Sequence, residues 1–180
     1  MMNFPTHVPT HGNFEDFLSH IQSPALRAVA KHWSVARGLT RMPSWADLLS
    51  DALLPYSKML WGFAYDAKTG EFHGHTAGDK LSTWLNAKFT GGRLQDLARP
   101  PNFGQIEQRL AKLVITPLAG RSSGRLFAIG DFVVSGERIA LPIAENGETG
   151  DGILGASDYV QPPLLGPRQL FHENVEWYEI

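Results

Sequence analysis

A chain of 180 residues with 43% hydrophobic and 19% charged residues has the composition of an ordinary globule. At this length a single domain buries roughly 70% of the surface its unfolded form exposes, so neither a metal nor a disulfide is needed for stability. The formal charge of −2 supplies no broad basic field and argues against nucleic acid as a partner. The absence of cysteine excludes disulfides, Cys-ligated zinc or iron–sulfur centres, a thiol nucleophile and a flavin–thiol photoadduct.

Met1–Asn13 lacks the basic and apolar regions of a signal peptide. No apolar run approaches the ~20 residues that span a bilayer. The expectation is a cytoplasmic protein with no membrane partner. Met1–Gly12, with two prolines and two histidines, reads as a mobile tail. Asn13 then caps a short helix that carries Phe14, Phe17, Leu18 and Ile21 on one stripe. Ser23-Pro24 starts a stronger helix with Leu26, Val29, Ala30 and Trp33 at helical spacing, stopped at Gly38. That stripe must be covered, either by a sheet or by a second copy of the chain. Ser44 caps a third helix through Leu48 and Leu53, which Pro55 closes.

The first strand pair follows. Met59–Asp66 alternates Trp61, Phe63 and Tyr65 with Leu60, Gly62 and Ala64, and Lys68-Thr69-Gly70 turns it into Glu71–Ala77. Asp79 caps a short helix holding Leu81, Trp84 and Leu85, and one turn follows at Leu94–Ala98. Asn102 with Gln105 fits a capping box for a helix bearing Ile106, Leu110, Leu113 and Val114, ended by Pro117. Gly120–Gly124 reads as a flexible loop and Leu126–Val134 as a strand, with Ser135-Gly136 as its turn.

Glu137–Ala156 organises the rest. Ile139, Leu141 and Ile143 alternate with Arg138, Ala140 and Pro142, so one face is apolar and the other small or charged. Asn146-Gly147 suits a tight type I′ turn into Gly152–Ala156. A loop with an even residue count puts Leu154 and Ala156 on the face of Ile139 and Leu141. Pro142 must turn its nitrogen to an unpaired position. After Tyr159 come the prolines of a linker, and Leu170–Ile180, aromatic and acidic, should dock on the body. Both strand groups close by hairpins with helices between them, which gives an α+β domain on one antiparallel sheet.

The order of elements, strand pair, short helices, connecting helix and three-strand meander, resembles the PAS-domain family, and within it a bacterial subfamily of small free-standing proteins. The residues that carry the likeness are Trp33, Met42-Pro43-Ser44-Trp45-Ala46-Asp47, Phe72-His73-Gly74-His75-Thr76-Ala77-Gly78 and Thr90-Gly91-Gly92-Arg93-Leu94. It is strongest in Glu137–Ala144 and Ile153-Leu154-Gly155. The chain departs from the family at Trp45, His73 and His75, where relatives tend to have arginine. The resemblance implies a five-stranded antiparallel sheet of PAS type, with helices on one face and the N-terminal helices packed outside. It divides the chain into a tail and short helix over 1–22, a PAS-like domain over 23–160 and a C-terminal extension over 161–180. It implies a sensory or interaction module rather than an enzyme, one that binds a small ligand or a protein partner and signals by association. PAS relatives commonly dimerise through a helix before the sheet, which makes Leu26, Val29, Ala30 and Trp33 the dimer-helix candidates. The cofactor is left open, with non-covalent flavin compatible and haem disfavoured because the long helix has no histidine.

The candidate pocket consists of Trp61, Phe63, Phe72, Gly74, Thr76, Trp84, Ile106, Leu110, Leu113, Ile139, Leu141 and Leu154. Gly74 and Thr76 are expected on the face of Phe72, where their small volume leaves room for a small apolar or planar ligand. The rival reading is a small metal-dependent enzyme or ligand carrier using His73 and His75, which alternation puts on one strand face. Two polar residues on a half-exposed strand explain that pair more simply. Gly91-Gly92 and Gly147–Gly150 lack the strand and helix context of a phosphate loop and read as turn glycines. No G-x-S-x-G nucleophile elbow is present.

Overall fold

The computed structural model describes residues 10–48, 50–78, 89–97, 103–129, 132–160, 164–165 and 173–180. Helices α1 (Phe14–His20), α2 (Pro24–Ala36) and α3 (Trp45–Leu48) come first, followed by a 3-10 segment over Asp51–Met59. Strands β1 (Leu60–Asp66) and β2 (Glu71–Ala77) precede α4 (Leu94–Leu97) and α5 (Phe103–Ile115). Strands β3 (Leu118–Ile129), β4 (Phe132–Ile143), β5 (Gly152–Tyr159), β6 (Leu164–Leu165) and β7 (Glu173–Glu179) complete the chain.

One antiparallel sheet takes all the strands, in the order β2-β1-β5-β4-β3-β7, with β6 paired to the start of β4. The single sheet and the α+β class are as the sequence implies. The strand count is not five, because the C-terminal segment docks as β7 along β3 and Leu164–Leu165 adds a short pairing. Thr10–Gly12 also leaves the tail reading behind. His11 N donates to Trp177 O and Glu179 N to Gly12 O, on the outer side of β7.

The helix starts follow their caps. Asn13 and Asp16 form a reciprocal capping box on α1, and Ser23 Oγ accepts from Leu26 N at α2. Pro55 does not end a helix but lies inside the 3-10 segment. Its missing N–H costs little in such a short, irregular turn.

Helices cover both faces of the sheet. On one, Phe14, Phe17, Leu26, Val29, Ala30 and Trp33 of α1 and α2 pack with Ile139, Leu141, Ile143, Leu154, Ala156 and Tyr178. On the other, Leu110, Ala111, Leu113 and Val114 of α5 pack with Trp61, Phe63, Phe72, Phe89 and Ile153. The N-terminal helices are therefore the second helical layer of the core.

Register confirms the even loop. Leu141 pairs with Leu154 and Ile139 with Ala156, and the connection runs from residue 144 to residue 151. Asn146-Gly147 is not a two-residue turn. Asn146 Oδ1 accepts from Glu148 N and Thr149 N, and Gly147 O accepts from Arg41 N and Met42 N, so this loop binds the end of the α2 layer. Pro142 sits beyond the last β3–β4 pair, Gly120–Ala140, where no ladder donor is needed. Its carbonyl accepts instead from Trp33 Nε1 at 2.8 Å.

Two readings are corrected in β3 and β4. Gly120–Gly124 is strand, and Ser135-Gly136 lies inside β4 rather than at a turn. Gly136 is needed for close approach, since a Cβ there would meet the Asp158 carbonyl of β5. Gly124 has φ +98°, and the pairing slips between Arg125 and Phe127. These glycines mark irregular strands, not breaks.

Candidate functional site

The site is on the α5 side of the sheet. Strand alternation sends Arg138 and Ala140 of β4 away from the α2 layer, opposite to Ile139 and Leu141. Arg138 pairs with Ser157 on β5 and with Ser122 on β3. Ser157 is buried, and its Oγ accepts from Trp61 Nε1 at 2.9 Å and from Arg138 Nε at 3.3 Å. Trp61 reaches this far because Gly155 has no side chain: a Cβ there would lie in the indole ring.

A second charged group meets this row from the edge. Glu173 begins β7, and its carboxylate is 10% exposed. Arg109 of α5 donates through Nη1 to Glu173 Oε2. Arg138 Nη1 is 3.8 Å from Glu173 Oε1, too far for a hydrogen bond, and that buried oxygen has no hydrogen-bond partner among the described residues. Two guanidiniums thus face one carboxylate beside the apolar cluster of Trp61, Leu110 and Leu113.

The opposite face carries a different network, centred on Arg121. Arg121 donates through Nε to Glu137 Oε1 at 2.6 Å and through Nη1 to Glu176 Oε2 at 2.7 Å. Glu137 also accepts from Gln22 N and Ser23 N, where α2 begins. Tyr178 Oη donates to Glu176 at 2.9 Å and meets His20 Nδ1 at 2.7 Å. With its single proton given to Glu176, Tyr178 leaves the His20 Nδ1–H as donor to the phenol oxygen. Burial raises the Glu176 carboxyl, but the hydrogen bonds from Arg121 and Tyr178 and the charge of Arg121 outweigh it, and the net direction is down. Burial and the neighbouring Glu176 push the Tyr178 phenol up. These groups join the α1–α2 junction to the sheet.

The residues singled out in the sequence divide between the two faces. Trp61, Phe63, Phe72, Leu110 and Leu113 come together on the α5 side, with Ile106 at their margin. Ile139, Leu141 and Leu154 lie on the other side, under α1 and α2. Thr76 also leaves the group. The β1–β2 register pairs Phe63 with Gly74 but Gly62 with Thr76, so His75 is an extra residue and the alternation reverses there. Gly74 is on the expected face, yet it opens no space. A Cβ at Gly74 would strike the Phe89 carbonyl, and Gly74 exchanges backbone hydrogen bonds with Gly91 and Gly92. Trp84 lies outside the described residues. Leu26, Val29, Ala30 and Trp33 are fully buried within one chain, so that stripe faces the sheet and not a second copy.

His73 and His75 have separate partners. His73 Nε2 is 3.6 Å from Glu71 Oε2. His75 stacks on Trp45 with ring centroids 4.0 Å apart and planes 5° apart. Trp45 in turn lies against Gly62 and Gly152, where side chains would block it. Among the described residues no group of three or more His, Cys, Asp or Glu is placed to hold a metal. The residues missed by sequence reasoning are Arg109, Arg138, Ser157 and Glu173. Arg138 carried a signal, since a charged residue in a strand covered on both faces must find a partner. Glu173 and Arg109 are far apart in sequence and carried none.

Comparison of the chain with protein-family models, curated proteins and solved structures returns no match. Among the described residues no helix is long and apolar enough to cross a membrane.

Proposed function

We propose that this chain is a sensory or interaction module of PAS type that holds a small ligand between its sheet and α5 and signals by association. The observation that carries the reading is the row of Trp61 Nε1, Ser157 Oγ and Arg138 Nε bordering the apolar cluster under α5. A few convergent polar groups set among aromatic and aliphatic side chains are how small-molecule sites fix the orientation of a ligand. The order of strand pair, helices, long helix and meander supports the same reading. Association uses a surface other than the buried α2 stripe, and Val35 and Leu39, 78% and 107% exposed, stand on the outer side of that region.

Native mass spectrometry of protein purified from its own host tests this. The expected spectrum carries a retained small molecule of defined mass and a dimer whose population changes when that molecule is removed. A bare monomer, identical before and after mild denaturation and refolding, would contradict it.

A further inference from the structure

The apolar side chains left in the open are gathered in one region. Of the five exposed large hydrophobic residues among the described residues, Val35, Leu39 and Leu54 lie on α2, just past its end and on the 3-10 segment. His32 of α2 and Ser50, which precedes that segment, meet at 3.1 Å, so the two elements share one outer surface. Exposed apolar residues grouped in this way mark an interaction site. The charges around them are divided. Residues 17–46 hold Arg27, Lys31, Arg37 and Arg41 and no acidic residue, in a chain whose formal charge is −2. Arg27 is engaged by the Ile21 carbonyl and Arg37 by the rings of Phe14 and Trp33, whereas Lys31 and Arg41 are exposed. Beside this basic half lies an acidic one. Asp51 opens the 3-10 segment that carries Leu54, and residues 42–57 contain no Lys or Arg. The loop of Glu145 and Glu148 borders Arg41, whose N–H donates to Gly147 O. Among the described residues, none of Lys31, Arg41, Asp51 and Glu148 forms an ion pair.

Resting on the reading that the chain signals by association, we propose that two copies meet at this surface about a two-fold axis. The basic half of each copy lies on the acidic half of the other, and Val35 and Leu39 cover the partner's Leu54. Charge complementarity selects a second copy. A two-fold contact is self-complementary, so a single chain must carry both halves, and this chain carries them side by side. Setting the two α2 halves face to face would instead oppose like charges, which weakens association. The apolar residues fit the same arrangement. Each half presents an exposed apolar side chain, so a contact between unlike halves takes all three residues out of water with charges at the rim.

Light scattering on the full chain, expressed in its own host, tests this with two charge-reversed variants. Lys31→Glu with Arg41→Glu reverses the exposed charge of the basic half. Asp51→Lys with Glu148→Lys reverses that of the acidic half. Wild type should be dimeric at about 50 μM, and each double variant alone should dissociate at least about tenfold more readily. An equimolar mixture of the two variants should regain the dimer, because every reversed charge then meets its opposite. The mixture is also the folding control, since misfolded chains would not restore one another. If wild type dimerises and either variant alone does so equally well, this surface falls and association uses another. If both variants are monomeric and their mixture stays monomeric, the two-fold arrangement falls. Wild type that remains monomeric overturns both this assignment and the reading of association on which it rests.

Discussion

Gly155 carries the Trp61 indole across its backbone, and Gly74 carries the Phe89 carbonyl. At both, the missing side chain is already replaced by a neighbour, which is why small residues on a strand did not mean open volume. Gly155→Ala should cost about 1–3 kcal/mol, as overpacked cores do, and should shift Trp61 fluorescence. Urea unfolding with emission spectra measures both, and a fully stable variant with an unchanged spectrum would refute the placement. Glu176 and Tyr178 set the pH limits of the opposite network. The folded Glu176 carboxyl is held below its usual value, so its contribution is present above the unfolded pKa of about 4.3 and is lost as pH falls through the lowered folded value. The folded Tyr178 phenol is raised, so its contribution holds below about pH 10 and is lost as pH rises towards the folded value. Glu176→Gln should flatten the acid limb of a stability–pH profile and weaken, without abolishing, the alkaline limb, because burial raises the Tyr178 phenol most and Glu176 adds to it. An acid limb unchanged in that variant would show that the carboxylate is not linked to folding.

At the scale of elements, Glu137 decides where α2 begins. Its carboxylate takes the free N–H groups of Gln22 and Ser23 and pairs with Arg121. Glu137→Ala leaves those backbone donors without their partner and the buried Arg121 guanidinium with Glu176 alone, and the expected loss is about 3 kcal/mol. Hydrogen exchange should show α1 and α2 losing protection before the β1–β2 hairpin does; uniform loss would argue against a local clamp. The helix starts were legible in the sequence because Asn13, Ser23 and Pro24 act within one turn of their own chain. The β3–β4 hairpin was not. Gly124, Ser135 and Gly136 have the composition of turns, and only contact with β5 and the slip at Arg125 show that they are strand.

Across the whole molecule, the single antiparallel sheet and the Leu141–Leu154 register followed from alternation and an even loop. Face assignment did not follow for β2, because the extra residue His75 is invisible to a period of two. Nor did it follow for the apolar stripe of β4. Ile139 and Leu141 belong under some helix, but their sequence does not distinguish α2 from α5. The polar row escaped for the related reason that Arg109, Arg138 and Glu173 meet only through tertiary packing.

The proposed function requires that the α5 side of the sheet, and not the α2 side, receive a ligand. Two indoles report on the two sides separately: Trp61 Nε1–H donates to Ser157 and Trp33 Nε1–H donates to Pro142 O. A ¹H–¹⁵N spectrum of the indole region, recorded with the molecule retained from the host bound and again after its removal, reads both at once. The Trp61 signal should differ between the two states while the Trp33 signal stays fixed. Movement of Trp33 with Trp61 unchanged, or no movement of either when native mass spectrometry reports a retained molecule, would contradict the account.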